Sequence, residues 1–168
     1  LLSNVLDDIL ANVPKEKIDE RVSLFKRNMH NLSYDVMANP IGVKGIGKYE
    51  VKDEESSFSK YKKGAPVHVK AAINYNSLID HWYEGKKYEK ISNGTKIKWV
   101  YLKENTFGFD AIAFKGHEDP KEILELIKNH IDHKKMYEQA MSKKLGMFYK
   151  AMHWGGVEDK TTSMNRFF

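Results

Sequence analysis

Apolar residues at the two ends of this 168-residue chain recur every three or four positions, whereas those in its middle alternate. The first period belongs to one face of an α-helix and the second to a half-buried strand, so the chain is committed to both kinds of element in a fixed order. Leu2, Val5, Leu6, Ile9, Leu10 and Val13 mark a first helix. Pro14 breaks or restarts it before a second stripe at Ile18, Val22, Phe25, Met29 and Leu32. Asn39-Pro40 closes that region, and Gly42, Gly45 and Gly47 open a loop. From Lys48 to Phe114 short period-two runs take over. Val67, Val69 and Ala71 alternate, Ile97, Trp99 and Tyr101 alternate against Lys96, Lys98 and Val100, and Ala111 to Phe114 reads as a strand. Asn93-Gly94 predicts a tight turn between two such runs, and Ala71 to Tyr83 fits a helix inserted between strands. Asp119-Pro120-Lys121-Glu122 predicts a helix start, with Asp119 as cap and Glu122 completing a capping box. Ile123, Leu126, Ile127 and Ile131 give that helix its buried face, and Met136, Tyr137, Ala140, Met141, Leu145 and Phe148 mark another. The expected fold is α+β, with amphipathic helices at both ends flanking a small central antiparallel β region and a flexible C-terminal tail. The expected organisation is one domain over 1–154, then a linker and tail over 155–168.

Charge is uneven along this frame. Residues 1–43 carry five basic and six acidic groups and residues 104–168 ten of each, but residues 44–103 carry thirteen basic against seven acidic, a local excess of six. Tyr49, Tyr61, Tyr75, Tyr88 and Trp99 are interleaved with those lysines. That is the footprint of a phosphate-backbone binder, with a solvated lysine-rich surface as the plainer reading. The chain has no cysteine, which excludes disulfides and thiolate metal sites within it and suits a reducing cytoplasm. No apolar run approaches the ~20 residues of a membrane span, so a cytoplasmic protein without membrane contact is expected. The sequence begins at Leu1 on an already amphipathic segment, as if a longer protein preceded it.

The glycine loop Gly42-Val43-Lys44-Gly45-Ile46-Gly47-Lys48-Tyr49 stops one residue short of a phosphate-cradling P-loop. Tyr49 stands where that motif needs a Mg²⁺-binding hydroxyl of Ser or Thr. The loop is better read as glycines letting backbone approach a phosphate while Lys44 and Lys48 supply charge. His130 and His133 have a spacing that can chelate a metal, but no carboxylate pattern beyond Asp132 supports them. Asp53-Glu54-Glu55 lies in a hydrophilic loop, and no nucleophile–base arrangement is visible. Catalytic and metal-binding residues are therefore expected to be absent from this chain.

The last eight residues, Thr161 to Phe168, put Met164 three positions before Phe167-Phe168. Wound into one 3₁₀ turn, Met164 and Phe167 fall on one side and Phe168 continues the apolar plug. Such a plug fits a partner's pocket or folds back on its own domain.

Several blocks together resemble the C-terminal thumb of family B DNA polymerases from large tailed bacteriophages of the T-even type. Lys48-Tyr49 is similar to that family's entry into the thumb sheet. Pro66-Val67-His68-Val69-Lys70 followed by Tyr75-Asn76 is similar to its Pro-x-His-aliphatic-basic…Tyr-Asn block. Asn105-Thr106-Phe107-Gly108 with Ile112-Ala113-Phe114 resembles its Asn-Pro-Phe-Gly…Ile-Ala-Trp segment. Ile131-Asp132-His133 and Lys143-Lys144-Leu145 resemble the last helices, and the tail resembles the terminal sliding-clamp peptide, Gln-x-x-aliphatic-x-x-aromatic-aromatic. Ala71, Thr106, Lys144 and Thr161 depart from the family's Gly, Pro, Pro and Gln. The resemblance implies a non-catalytic part of a DNA-directed DNA polymerase. Its metal carboxylates and Mg²⁺ belong to an upstream palm, in the same protein or a split subunit. It implies that Lys48, Tyr49, His68, Lys70 and Tyr75, with Lys62 and Lys63 as looser candidates, grip primer–template DNA. It also implies that Met164, Phe167 and Phe168 bind a sliding clamp, in the host cytoplasm if the protein is viral. The alternatives are a nucleotide-binding protein using Gly42 to Lys48, and a clamp-binding adaptor that does not bind DNA.

Overall fold

The computed structural model describes residues 1–84 and 86–156, and the tail residues Met164, Phe167 and Phe168 lie outside them. The fold is α+β, with helices at both ends and a small antiparallel sheet between. Within it the backbone separates into two compact units, residues 1–32 with 133 onward and residues 33–132.

The first unit is helical. α1 (Leu2–Leu10) is followed by Asn12, which takes a left-handed φ of 54° before Pro14 opens α2 (Lys15–Asn28). Val5, Ile18 and Val22 are fully buried or nearly so, as the three-and-four stripe requires. α7 (His133–Tyr137) and α8 (Lys143–Ala151) are joined by a π-helical turn, Glu138–Ser142. The buried faces of this pair are Met136 and Tyr137, then Leu145 and Tyr149. Asp19 of α2 accepts hydrogen bonds from Lys15 Nζ at 2.6 Å and the Tyr149 hydroxyl at 2.5 Å.

The second unit is built around one helix. α5 runs Val67–Tyr83 and buries ten of its residues, Val69 and an unbroken run from Ala71 to Ile79. Across it lies a three-stranded antiparallel sheet in the order β1 (Ile41–Gly42), β4 (Lys96–Tyr101), β5 (Ala111–Phe114). Its register pairs Ile41 with Ile97 and Trp99 with Ala113. β2 (Glu50–Val51) and β3 (Lys60–Tyr61) form a separate antiparallel ladder. Short helices α3 (Tyr34–Met37) and α4 (Ile46–Tyr49) pack on β4 and on α5, and α6 (Lys121–His130) packs on β5.

A helix buried on all sides needs internal partners for its polar side chains, and α5 finds most of them by stapling four neighbouring segments, with Asn74 Oδ1 left unpartnered among the described residues. Asn74 Nδ2 donates to the Ala111 carbonyl at 2.9 Å. Asn76 exchanges two bonds with the Ile91 backbone at 2.8 and 2.7 Å, as a strand partner would. Ser77 Oγ accepts from Ser59 N at 3.1 Å, and the Tyr75 hydroxyl donates to Asp119 at 2.8 Å.

Two local expectations are corrected here. Val67, Val69 and Ala71 do not form a strand; they are the first turns of α5. The alternation of period two is made by His68 and Lys70, half-buried between the apolar residues of the first turns, ahead of the wholly buried run from Ala71 to Ile79. Asp119 does not cap α6 either. Pro120 holds the cap position without a side-chain bond, while Asp119 accepts the amides of Lys115 and Gly116 at 2.6 and 2.7 Å and the Tyr75 hydroxyl.

Candidate nucleic-acid interface

One corner of the second unit collects most of the lysines singled out in the sequence. β3 extends its ladder by one bond, Lys62 N to the Tyr49 carbonyl at 2.8 Å, which ties Lys62 to the end of α4. The chain then turns through Ala65 N to the Lys62 carbonyl at 3.2 Å, with Gly64 at φ +82°, and enters α5 at Pro66. Lys62 and Lys63 stand exposed on that turn, and His68 and Lys70 follow half-buried on the first turns of the helix. Lys48 Nζ lies 5.0 Å from the Tyr49 ring and Lys70 Nζ 5.5 Å from the Tyr61 ring. Both ammoniums are thus steadied over aromatic faces and keep their charge toward solvent. Lys44 is exposed just before α4.

The charges of this corner are uncompensated. Among the described residues, Lys44, Lys48, Lys62, Lys63 and Lys70 are in no ion pair, whereas Lys60, Lys86, Lys90 and Lys98 are held by Asp53, Glu84, Asp80 and Asp35 at 2.5 to 2.9 Å. The Lys60 ammonium keeps the half-buried Asp53 carboxyl below its usual range. The 17-residue α5 begins at the same place with no acidic residue in its first turn and no side-chain cap. Its amide end adds roughly half a positive charge to the lysines. Burial pushes the His68 imidazole below its usual value, so near neutrality it adds no charge to the lysines.

Two of the sequence expectations change character. Tyr75 is fully buried, its hydroxyl bonded to Asp119, and cannot touch a ligand at this surface. Burial and then the Asp119 carboxylate push its phenol well above the usual range. The glycine loop is not an open phosphate cradle. Gly45, at φ +88°, begins α4, and the amides of Gly45 and Ile46 both donate to Asn93 Oδ1 at 3.0 and 3.1 Å. The Asn93-Gly94 turn therefore caps α4, and of the runs beside it only β4 is a strand. What the loop offers outward is the charge of Lys44 and Lys48.

The contribution of the α5 amide end was missed in the sequence because Val67 to Ala71 reads as a strand. Pro66 followed by seventeen residues without Gly or Pro was the signal that could have found it. The remaining candidates stay apart from this corner. His130 Nδ1 lies 3.1 Å from the Glu104 carbonyl oxygen, and His133 meets His30 edge-on. Among the described residues no three His, Asp or Glu gather as a metal would need, and no helix is long and apolar enough to cross a membrane. Compared with protein-family models and with curated proteins, the chain matches none.

Proposed function

We propose that this chain is a non-catalytic thumb segment of a family B replicative DNA polymerase. It grips the backbone of primer–template duplex and tethers a sliding clamp through residues 161–168. The observation that carries the reading is the corner where Lys48, Lys62, Lys63 and Lys70 meet the open end of α5 without a carboxylate partner. Grip of this kind needs ammonium groups and backbone amides aimed at phosphates, and no base-reading groups. The order of blocks resembling the T-even type thumb supports the polymerase context. The nucleotide-binding alternative is weakened by the commitment of the Gly45 and Ile46 amides to Asn93.

Fluorescence anisotropy with duplex DNA at two salt concentrations tests the grip. Binding is expected to be weak, independent of sequence and steeply salt-dependent. A salt-insensitive signal, or none at low salt, overturns it and leaves the clamp adaptor. For the tail, calorimetry with a synthetic 161–168 peptide and its Phe167→Ala, Phe168→Ala form should separate the two, the first binding a cognate clamp with a dissociation constant on the order of micromolar. Equal heats would reject the tether. Primer extension is expected to be absent with this chain alone and more processive when it is added to a polymerase palm. Incorporation by the chain alone, abolished by EDTA, would revive an enzymatic reading.

A further inference from the structure

The helical unit contains a cavity of about 320 Å³ between α2 and the α7–α8 pair, with no part in the DNA-binding corner. Its walls are apolar at Val22, Leu145 and Tyr149. On α2, Asp19, Ser23 and Lys26 are spaced by four and three, so they share the face turned to it. Asp19 is taken up by Lys15 and the Tyr149 hydroxyl, which leaves Ser23 and Lys26 as the polar groups α2 presents.

Ser23 is the unusual member. It is more than nine-tenths buried and lines the cavity, the one buried hydroxyl that α2 turns to it. A hydroxyl on the wall of a cavity can donate to an acceptor bound there. Lys26 lies 6.0 Å from the Tyr137 ring and is in no ion pair among the described residues. None of the described lining residues is acidic, and the Asp19 carboxylate bonded to Tyr149 is paired with Lys15, so Lys26 leaves one net positive charge beside two tyrosine rings. The α7–α8 side meets it where the backbone widens into the π-turn Glu138–Ser142, a geometry concentrated at functional sites.

We infer that this cavity is a binding site for a small monoanion with a flat apolar body, of the class of one-ring aromatic carboxylates. The carboxylate would meet Lys26 and accept from the Ser23 hydroxyl, while the ring lies between Tyr137 and Tyr149. The volume is at the lower end of ligand pockets and accommodates a single ring with a short acidic arm.

Titration of the full chain with phenylacetate and its neutral counterpart phenylacetamide, followed by amide chemical shifts, tests the site. The acid is expected to bind with a dissociation constant on the order of millimolar, at least ~10-fold tighter than the amide, with shifts centred on Tyr137, Gly146 and Tyr149. Lys26→Gln and Gly146→Leu should each weaken it about 10-fold. A Cβ at Gly146 meets nothing within 4 Å, so the leucine fills the cavity without straining α8. Ser23→Ala should weaken binding while leaving the melting temperature unchanged or raised. Equal affinity for acid and amide, or undiminished binding in both the Lys26 and Gly146 variants, overturns the proposal. So does a 10-fold gain on Glu158→Gln, Asp159→Asn, which would assign the cavity to the chain's own tail.

Discussion

Tyr75 shows how one residue type serves two readings. Its place in a Tyr-Asn block and among basic residues suggested a phosphate contact, yet its ring is fully buried and its hydroxyl ties α5 to the 115–119 loop. Tyr75→Phe should therefore leave duplex affinity unchanged. It should destabilise the fold by about 1.5–3 kcal/mol, the range for a buried hydrogen bond to a charged group, measured by urea denaturation. The same environment fixes a pH response. Burial and Asp119 raise the Tyr75 phenol above its ordinary 10.0, and burial and Asp19 do so for Tyr149. A group whose pKa is raised on folding contributes stability that is complete below the unfolded value and is lost as pH climbs toward the folded one. Stability should hold up to about pH 10 and then fall. The Tyr75→Phe variant should fall less steeply, and denaturation midpoints between pH 8 and 11 give the comparison.

At the scale of elements, what was legible followed from periodicity and what was not followed from burial. α1, α2, α6, α7 and α8 each keep one wet face, so their stripes are visible, while β4 shows as an alternation against Lys96 and Lys98 and β5 as a short apolar run closed by Lys115. The first turns of α5 alternate half-buried polar and apolar residues and the next turns have no wet face, so the helix looks like a strand in sequence. The candidate site was legible as charge, in Lys48, Lys62, Lys63 and Lys70. It was not legible as geometry, because its positive helix end depends on where α5 starts. Asn93 was legible as turn chemistry, but its bond to α4 spans 48 residues to Gly45, which no local pattern encodes. Asn93→Ala should remove that cap and cost about 1 kcal/mol, the usual loss for an N-cap side chain. The expected signature is a lower urea midpoint at unchanged slope. No shift would show that water satisfies the two amides as well as Asn93 does.

For the whole molecule, the division into two units redistributes the charge. Counted along the sequence, residues 104–168 are balanced, but the helices from His133 to Ala151 carry five basic residues, Lys134, Lys135, Lys143, Lys144 and Lys150, against the single acid Glu138. Net charge alone therefore does not single out the α5 corner; convergence does. Lys48, Lys62, Lys63 and Lys70 come from α4, the turn after β3 and α5 and surround one helix end. Lys143 and Lys144 lie about 100° apart on one helix, and the helical π-turn before them leaves no open amide end. Each phosphate contact contributes roughly 0.9 to the slope of log K against log salt. Lys48→Ala with Lys70→Ala should therefore lower that slope by about 1.8 if both touch phosphates. Lys143→Ala with Lys144→Ala removes the same charge and should lower it by less than about 0.5, because diffuse charge releases fewer condensed counterions. Anisotropy titrations of one duplex from 50 to 200 mM salt (about a 4-fold range, as such slopes require) distinguish the two. Equal losses in both doubles would mean that the protein holds DNA by general charge, and that the corner around α5 has no special part in the grip.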